Sequence, residues 1–458
     1  MFLFKSSANN EETTTKTEYK SKFPFVRPKE SERKFVSPVI EKVIKDITSN
    51  MKDKDLARLF ENCWPNTLGR FPRTFIVTGD IPAMWLRDST NQIISYIPYA
   101  KCDDKLKNLI LGVIYMQAEL IISSKLPHPK NPWSKTDITT PPPSSATWEK
   151  KWELDSFVSF LKLSHNYWSN TKDDRFLTNK IWLEAVNSIL DILEIHTMQE
   201  FKNEAYKFSR LTRATTETLM MEGIGLVKSQ FRPSDDSTTF PFLIPSNAFA
   251  SVELSHLYEM IDTTSPDIAK KAKNLSQIIR DSIYSNAIIP HKHFENIFAY
   301  EIDGYGSSNL MDDANLPSLL SLPYFGFIDN DDKIYLKTRD FVLSDWNKFW
   351  FNGEKFQGVG SPHTGLGYIW PMSLCMKILT STNDQEILET LELLKESSAD
   401  TGLTHESFYY NDPNNYTRSW FAWANSLFGE TILHLAKEKP DLIMIDDFKF
   451  IKLLDASK

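Results

Sequence analysis

The sequence contains few cysteines and few glycines. Only three of its 458 residues are cysteines (Cys63, Cys102 and Cys375), and they form no CxxC pair. This excludes a disulfide framework and a cysteine-ligated zinc site. The 15 glycines form neither a phosphate-binding P-loop nor a GxGxxG dinucleotide fingerprint. The GxSxG nucleophile elbow and the HExxH zinc motif are absent as well, so the common hydrolase signatures do not apply.

The sequence also lacks a long apolar run and an excess of positive charge. The longest apolar stretch lies near Leu109–Ile122, and it falls short of the roughly 20 apolar residues that a membrane-spanning helix needs. No apolar segment follows directly after Lys5, so we expect no secretory signal. We also expect no membrane span and, by default, a cytoplasmic protein. The formal net charge of −8 argues against nucleic acid as the main partner.

Helical periodicity dominates what is present. Two short segments, Phe71–Val77 and Asn296–Glu301, are the better strand candidates. We expect residues 1–35 to be a flexible polar segment and residues 127–147, rich in Pro, Ser and Thr, to be a long surface loop. The predicted helices are Val39–Ile47, Asp104–Ser123, Trp152–Trp168, Phe176–His196, Ala248–Ile261, Pro266–Tyr284, Tyr335–Trp346, Gly367–Leu379, Gln385–Glu396 and Trp420–Leu435.

The loops between these helices combine carboxylates with aromatic residues, glycine and proline. Five stand out, at 78–90, 231–240, 300–315, 358–371 and 402–412. Glycoside hydrolysis uses this inventory: one carboxylic acid protonates the leaving oxygen, and a second carboxylate activates water or attacks the anomeric carbon. Aromatic faces hold the apolar side of a sugar ring. We expect a helical scaffold that carries a polar pocket lined with aromatic residues.

The segment GDIPAMWLRDST contains Asp80, Trp85, Arg87 and Asp88. Arg87 can donate two parallel hydrogen bonds to a carboxylate and so fix it in place. The alternative is that Asp88 or Ser89 caps a helix that starts near residue 91. We favour a functional role, because Trp85 and Arg87 exceed what a cap requires.

Two adjacent aspartate pairs are further candidates. Asp235 and Asp236 in RPSDDST cannot both ionise freely, so the pKa of one can rise as a general acid requires, although a solvated acidic turn has the same pattern. Asp312 and Asp313 in MDDAN resemble part of a magnesium-binding motif of isoprenoid enzymes. The third aspartate of that motif is missing, so a helix N-terminal cap is the stronger interpretation.

Each remaining candidate residue is supported by only one sequence feature. Glu406 in THESF, beside His405, can be a tuned base. Trp420 and Trp423, spaced i, i+3, favour a core position over a site. The pair His291 and His293 can ligate a metal, but no Cys or carboxylate cluster flanks it at a characteristic spacing, so ordinary histidines are the default.

Ten ordered segments together resemble the glycoside hydrolase family 125 exo-α-1,6-mannosidases. The resemblance spans about residues 60–435 and is far more specific than any one motif. The segments are NCWPNTLGRF (62–71), TGDIPAMWLRDST (78–90), KWELDS (151–156), FRPSDD (231–236), PSNAFA (245–250), YEIDGYG (300–306), LMDDANLPSLL (310–320), GVGSPHTGLGYIWPMSL (358–374), THESF (404–408) and TRSWFAWANSLFGE (417–430).

The resemblance implies an all-α (α/α)₆ toroid over residues 36–458, with small β elements in the loops. It implies release of terminal α-1,6-linked mannose from an oligosaccharide or glycan, with inversion and without a metal or other cofactor. Glu406 would be the general base, and Asp235 or Asp236 the general acid, with Asp235 ranked slightly first. Implied substrate-binding residues are Asp80, Trp85, Arg87, Asp88, Asn247, Asp303, Asp312, Asp313, His363 and Trp370.

Inversion requires two carboxyl groups about 6.5–9.5 Å apart, with room for a water molecule. About 170 residues separate Asp235 from Glu406, so only the tertiary fold can bring them face to face. The alternative function is a catalytically inactive mannose-binding protein on the same fold. A magnesium-dependent isoprenoid enzyme is the remaining alternative, and it rests on MDDAN alone.

Overall fold

The computed structural model describes residues 20–70, 74–124, 151–198 and 223–450, with three short strands at 137–140, 207–210 and 213–214. Helices dominate these residues, and two 3₁₀ helices cover Glu30–Glu32 and Ile94–Cys102. The α-helices are α1 (Pro38–Asn50), α2 (Lys54–Cys63), α3 (Asn66–Arg70), α4 (Leu86–Ile93), α5 (Asp104–Ser124), α6 (Leu154–Thr171), α7 (Lys180–Met198), α8 (Ile244–Ile261), α9 (Pro266–Asn286), α10 (Lys333–Val342), α11 (Pro371–Leu379), α12 (Asp384–Ser397), α13 (Ala422–Glu438) and α14 (Pro440–Ile443).

The strands are short, and each pairing between them is antiparallel. They are β1 (Asp137–Thr140), β2 (Lys207–Arg210), β3 (Arg213–Ala214), β4 (Phe242–Leu243), β5 (Ile288–His291), β6 (Glu295–Phe298), β7 (Glu301–Ile302), β8 (Ser308–Asn309), β9 (Trp350–Asn352), β10 (Gln357–Val359), β11 (Tyr368–Ile369), β12 (Phe408–Tyr409) and β13 (Asp412–Tyr416). They pair in the orders β1-β2-β3, β4-β7-β8, β5-β6, β9-β10 and β11-β12-β13. In the last sheet, Phe408 pairs with Tyr416, which fixes the loop that carries Glu406.

Helix packing places the starts of several helices close together. Helix α4 packs against α6 and α13, α6 packs against α8, and α11 packs against α13. In addition, α5 packs against α6 and α7, α9 against α8, and α12 against α11. The buried apolar side chains form one connected core, which includes Trp64, Trp182 and Phe160. This core holds the starts of α4, α6, α11 and α13 in fixed positions.

All ten predicted helices are present, whereas α2, α3, α4 and the short α14 were not predicted. Helix α4 has the sequence LRDSTNQI, and all eight of its residues are buried. Burial on every side removes the alternation between apolar and polar faces from which a helix is recognised. Polar burial of this kind is itself a sign of a functional region.

The strand predictions were less successful. Residues 74–77 form no strand, and the nearest pairing is an isolated bridge between Thr78 and Ile81. Residues 71–73 lie outside the described residues. The segment predicted at 296–301 is divided, since β6 ends at Phe298 and β7 begins at Glu301. Short strands in loops leave too little alternation to place their ends.

Helix α5 contains the longest apolar stretch. Its residues Asp104–Ser123 are long and apolar enough to cross a membrane by length and mean hydropathy, which is 1.3, but half of that window is buried inside the protein. The helix packs against α6 and α7. A core helix passes the same length and hydropathy test, which makes this a weak membrane candidate.

The predicted N-terminal segment and the predicted long loop lie partly outside the described residues. From residue 20 onward the N-terminal segment packs against the helices, with Phe23 buried and Asp55 accepting the backbone N–H of Lys22 at 2.8 Å. Arg27 pairs with Glu41 of α1 at 2.5 Å. Of the predicted loop at 127–147, only β1 is described, and β1 pairs with β2.

Candidate active site

A polar cavity lies where the starts of α4, α11 and α13 meet the loops at 231–240 and 402–412. It contains about 390 Å³ of empty space, including its open mouth. Its walls combine carboxylates, two arginines and several aromatic side chains. The lining residues are Thr78, Ile81, Trp85, Arg87, Asp88, Pro233, Ser234, Asp235, Asn315, His363, Trp370, Glu406, Arg418, Phe421 and Trp423.

Helix N-termini point toward this cavity. Trp85 and Glu153 immediately precede α4 and α6, and neither side chain caps its helix. Trp370 and Phe421 immediately precede α11 and α13. The positive ends of four helix dipoles therefore surround one region, and they favour the negative charge of its carboxylates.

Arg87 is the centre of a buried ionic cluster. Its Nη1 lies 3.2 Å from Glu153 Oε2 and 3.0 Å from Asp155 Oδ2. Its Nε lies 3.4 Å from Asp88 Oδ2, and its Nη2 lies 3.7 Å from Asp235 Oδ1. One guanidinium therefore orients four carboxyl groups that come from three separate segments of the chain. The expected role of Arg87 in fixing neighbouring carboxylates agrees with this geometry.

The charges of this cluster do not balance, and the pKa shifts follow from that. Burial opposes the charge of Arg87, but Glu153, Asp155 and Asp88 together raise its pKa well above the usual value. Burial raises the pKa of Asp88 to about 6, although Arg87 opposes the shift. Burial also raises the pKa of Glu153 well above its usual value, and the nearby Asp235 adds to it. Burial therefore favours the protonated forms of Glu153, Asp155 and Asp88 over those of free carboxyl groups.

The pKa of Asp235 shifts in the opposite direction. Burial works against its charge, but Lys151, with Nζ 3.4 Å from Oδ1, and Arg87 hold the pKa of Asp235 well below the usual value. A hydrogen bond from Glu153 lowers it further. The backbone of Asp235 has φ +66°, a conformation that costs energy for a residue other than glycine. The side chain is thus an anion, held beside a carboxyl group whose pKa is raised.

The loop around Asp235 is fixed by a buried ion pair. Arg232 Nε lies 2.6 Å from Glu301 Oε1. Glu301 Oε2 in turn accepts the backbone N–H of Thr239 at 2.9 Å. A backbone bond from Arg232 N to Asp236 O, at 2.8 Å, closes the turn. These contacts compensate for the strained backbone at Asp235.

Asp236 lies beside the cavity but faces other groups. Its Oδ2 accepts a hydrogen bond from Ser234 Oγ at 3.1 Å. Its Oδ1 lies 3.8 Å from His363 Nδ1. Of the two adjacent aspartates, only Asp235 is among the residues that line the cavity.

Glu406 lies on another wall of the same cavity and is almost fully buried. Thr417 Oγ1 donates a hydrogen bond to Glu406 Oε2 at 2.8 Å. Arg418 Nε lies 3.5 Å from Glu406 Oε1, and Arg418 Nη1 lies 3.5 Å from Asp80 Oδ1. These contacts leave Glu406 beside a cation and a hydroxyl donor, both of which stabilise a carboxylate. Asp80 is exposed and acts through Arg418 at the rim.

His405 supports the Glu406 loop from behind. Its ring stacks on Tyr416 with centroids 3.9 Å apart. Its Nδ1 lies 2.9 Å from the carbonyl oxygen of Ser419, and its Nε2 lies 3.2 Å from that of Ser398. Both ring nitrogens of His405 therefore contact backbone carbonyl oxygens, which makes His405 a structural neighbour of Glu406.

Aromatic side chains form the apolar part of the cavity. Trp370 and Phe421 meet at a right angle with centroids 6.0 Å apart. Arg87 lies over the Trp423 ring at 5.8 Å. The Nε1 atoms of Trp85 and Trp423 are buried and have no hydrogen-bond acceptor among the described residues. Both tryptophans line the cavity, so these two indole N–H groups are candidates for hydrogen bonds to a ligand.

Five predicted binding residues lie outside the cavity lining. Asp80 pairs with Arg418 at the rim, and the fold itself uses polar atoms of the other four. Asn247 is buried and exchanges hydrogen bonds with the backbone of Val227 at 2.8 and 2.9 Å. Asp303 accepts two backbone N–H groups of its own turn. Asp312 accepts the backbone N–H groups of Leu319 and Leu320 at 2.8 and 3.0 Å. Asp313 accepts from Ser361 Oγ and from the amide of Asn315, the latter a lining residue.

The structure supports neither helix-cap interpretation. For Asp88 a cap was the less favoured alternative, and it does not apply because α4 begins at Leu86 and includes Asp88 in its first turn. For Asp312 and Asp313 a cap was the stronger interpretation, and it was wrong because they precede turns and no α-helix. Trp423 belongs to the core, as its spacing with Trp420 predicted, and it also lines the cavity.

Sequence reasoning missed three charged residues of the site: Lys151, Glu153 and Asp155. All three are fully buried, at 1%, 0% and 0% exposure. The segment KWELDS contained the signal, because alternate positions carry a base and two acids just before a helix. Arg418 lies in the motif TRSWFAWANSLFGE, and its place between Glu406 and Asp80 needs the fold.

Comparison with known proteins agrees with this site. The family profile described as metal-independent alpha-mannosidase (GH125) matches residues 53–433. The Meiotically up-regulated gene 157 protein of Schizosaccharomyces pombe is 44% identical, over 92% of this chain and 90% of that protein. A Streptococcus pneumoniae metal-independent α-mannosidase, solved in a non-productive complex with α-1,6-mannobiose, is 34% identical with a TM-score of 0.82, over 87% of this chain and 98% of that chain.

More distant structures share the fold alone. A bacterial glucoamylase complexed with acarbose has a TM-score of 0.53 at 11% identity, over 85% of this chain and 56% of that chain. The family profile covers most of the chain, and the polar cavity lies within it. The chain is therefore a glycoside hydrolase that belongs to family 125, the metal-independent α-mannosidases.

Proposed function

We propose that this protein is an inverting exo-α-1,6-mannosidase, in which Glu406 is the general base and Asp235 the general acid. The observation that carries the proposal is that both carboxyl groups line one cavity although they come from distant segments of the chain. Inverting glycosidases need two such groups on opposite sides of the scissile bond. The α-1,6-mannobiose bound to the pneumococcal relative supports the choice of linkage.

Glu406 has the surroundings of a base. Thr417 and Arg418 hold its carboxylate in one orientation. In the proposed reaction, Glu406 takes a proton from water as the water oxygen attacks the anomeric carbon. The C–O bond to the leaving group breaks on the opposite face, and the released mannose has the β configuration.

Asp235 is the preferred acid because it lines the cavity, while Asp236 is held by Ser234 and faces His363. An acid must carry a proton, yet Lys151 favours the Asp235 anion. Asp236 therefore remains the alternative acid.

The neighbouring Glu153 supplies the missing proton in this proposal. Burial raises the pKa of Glu153, and in this proposal Glu153 carries the proton and donates a hydrogen bond to Asp235. The two carboxyl groups hold one proton between them, and Asp235 delivers it to the glycosidic oxygen as Glu153 loses it. The pair titrates as a unit and has no separate pKa for each group.

The sugar contacts follow from the cavity walls. The indole N–H groups of Trp85 and Trp423 would donate to mannose hydroxyls, and Asp88 would accept from them. Trp370 offers an apolar face to the ring. His363, with its Nδ1 near Asp236, would mark the leaving-group side.

We extend the proposal to the architecture. The contacts of α11 with α13, α13 with α4, α4 with α6 and α6 with α8 fit consecutive inner helices of an (α/α)₆ toroid. Helices α5, α7, α9 and α12 would form its outer layer. Residues 36–458 would then be one catalytic domain, and a cytoplasmic location remains a proposal from sequence.

Proton NMR of the protein with α-1,6-mannobiose, in the presence of a chelator, tests this function. Early β-mannose is the expected result, and it would establish hydrolysis with inversion. Early α-mannose would mean retention and would make Glu406 a nucleophile. Binding by calorimetry without any hydrolysis over days would instead favour the inactive mannose-binding alternative.

A further inference from the structure

A second cavity, with about 1340 Å³ of empty space including its open mouth, lies far from the active site along the same helices. On α6, His165 follows Asp155 by ten residues, which is about 15 Å at 1.5 Å per residue. On α13, His434 follows Trp423 by eleven residues, about 16 Å. The cavity lining is Ile94, Ser95, Pro98, Tyr99, Lys162, His165, Asn166, Asn170, Glu253, His256, Tyr324, Phe325, Glu430, Leu433, His434, Lys437 and Phe450.

Three side chains in this cavity form a compact group of metal-ligand type. Glu253 and His256 are spaced i, i+3 on α8, so they lie on one face of that helix. His165 comes from α6, which packs against α8. The ligand atoms of the three residues lie within 4.8 Å of one another.

The two imidazole rings are already parallel and adjacent. The centroids of His165 and His256 are 3.9 Å apart, with 15° between the ring planes. His256 Nδ1 lies 3.0 Å from Glu253 Oε2. Glu253 is almost fully buried, and the side chain of His256 is partly exposed, which gives an ion access from the cavity.

We propose that His165, Glu253 and His256 form a binding site for a divalent transition-metal ion of the zinc type, which links α6 to α8. Two imidazole nitrogens and one carboxylate are a donor set that suits zinc, whereas magnesium and calcium prefer oxygen ligands. At bonds of about 2.0–2.1 Å, two ligand atoms of zinc lie at most about 4.2 Å apart. Metal binding therefore requires the side chains to move closer together, and the two stacked imidazole rings must turn so that one nitrogen of each points at the ion.

This site has no part in the proposed mannosidase reaction. It lies at the far end of α6 from Asp155, and hydrolysis by acid and base carboxyl groups needs no metal. Bound metal would act on stability, because an ion that binds only the folded chain raises the free energy of unfolding by mass action. Metal binding at this site does not depend on the proposed function.

The histidine pair first seen in the sequence serves as a control. His291 and His293 are 6.0 Å apart between ring centroids, and His291 Nδ1 accepts the backbone N–H of His293 at 3.2 Å. Within the described residues, no third potential ligand completes a group with them. A metal effect that follows His165 and His256, and not this pair, identifies the site.

The test is calorimetric titration of zinc chloride into chelator-treated, desalted protein, with magnesium chloride in parallel. We expect one zinc ion per chain, a higher Tm with zinc, and no response to magnesium. His256→Gln and Glu253→Gln should each weaken binding about tenfold or more. The paired variant His291→Gln with His293→Gln should bind as the wild type does.

Each result has a defined meaning. Mannobiose hydrolysis and metal-free Tm of the variants show whether they are folded, and the partly exposed His256 is the substitution best tolerated. Absence of zinc binding to the wild type overturns the proposal. Wild-type affinity in both the His256→Gln and Glu253→Gln variants overturns it as well, because the ion would then be held elsewhere.

Discussion

Arg87 Nη2 lies 3.7 Å from Asp235 Oδ1, although 148 positions separate the two residues in the chain. The same guanidinium contacts Glu153 at 3.2 Å. The proposed acid is therefore part of a network in which one proton is shared, and its acidity depends on residues that touch no substrate. Substitutions of single residues can separate the roles of the network's members.

The first prediction concerns the base. Glu406→Gln preserves volume and the hydrogen bond from Thr417, but it removes proton abstraction. We expect kcat for α-1,6-mannobiose to fall by about 10²–10⁴ with an unchanged Tm. Glu396→Gln, a surface residue 2.9 Å from Lys355, is the matched control and should keep full activity. Full activity in Glu406→Gln would exclude its proposed role.

The second prediction separates the two aspartates. If Asp235 protonates the leaving group, Asp235→Asn should lower kcat on mannobiose by about 10²–10⁴. A mannoside with a good leaving group, such as 2,4-dinitrophenol, needs little protonation, so the defect should be much smaller there. Asp236→Asn should give a similar small loss on both substrates. The reverse pattern would make Asp236 the acid.

The third prediction concerns Glu153 and the pH profile. Glu153→Gln keeps a donor to Asp235 but cannot share a proton, and Lys151 and Arg87 then leave Asp235 with a low pKa. The acid would lose its proton at lower pH than in the wild type. We expect the basic limb of the kcat/KM profile to move toward acidic pH, while Tm at that pH stays close to the wild-type value. A uniform loss at every pH would indicate a purely structural role.

The fourth prediction concerns sugar binding. Trp85→Phe keeps an aromatic ring and removes an indole N–H that has no acceptor among the described residues. One lost hydrogen bond of about 0.5–1.5 kcal/mol should weaken binding of a mannose-type inhibitor by about 2–13-fold. Trp346→Phe, a half-exposed surface tryptophan, is the control for the calorimetric comparison. Unchanged affinity in Trp85→Phe would remove this contact from the proposal.

The fifth prediction concerns stability. Burial raises the pKa of Asp312 to about 7, although the backbone N–H groups of Leu319 and Leu320 oppose the shift. The folded protein therefore binds this proton more tightly than the unfolded chain. The corresponding stability is fully present below about pH 4 and is lost as pH rises through about 7.

Asp312→Asn should flatten that dependence. Between pH 5 and 7, the free energy of unfolding should decrease with pH less steeply than in the wild type. The difference in slope should be up to about 1.4 kcal/mol per pH unit. Denaturant unfolding at several pH values measures it, and Asp340→Asn, at an exposed position of α10, is the control. An unchanged slope in Asp312→Asn would mean that other buried groups carry the dependence.

Much of the helical scaffold could be predicted, because its helices pack one apolar face inward and show it as periodicity. Helix α4 could not be predicted, because both of its faces are buried and its polar residues belong to the site. Asn247 and Asp303 were predicted to bind sugar from their motifs. Their polar atoms bond to backbone groups, which a motif does not reveal, and their part in sugar binding stays a prediction.

The sequence by itself determined the helical class, the carboxylate and aromatic chemistry and, through ten ordered motifs, the family. Only the tertiary structure decided which carboxyl groups share one cavity, because Glu406 and Asp235 meet through helix packing and not through spacing. It also decided the charge state of the site. Burial and the distances from Arg87 and Lys151 set those protonation states, and neither quantity is a property of the linear chain.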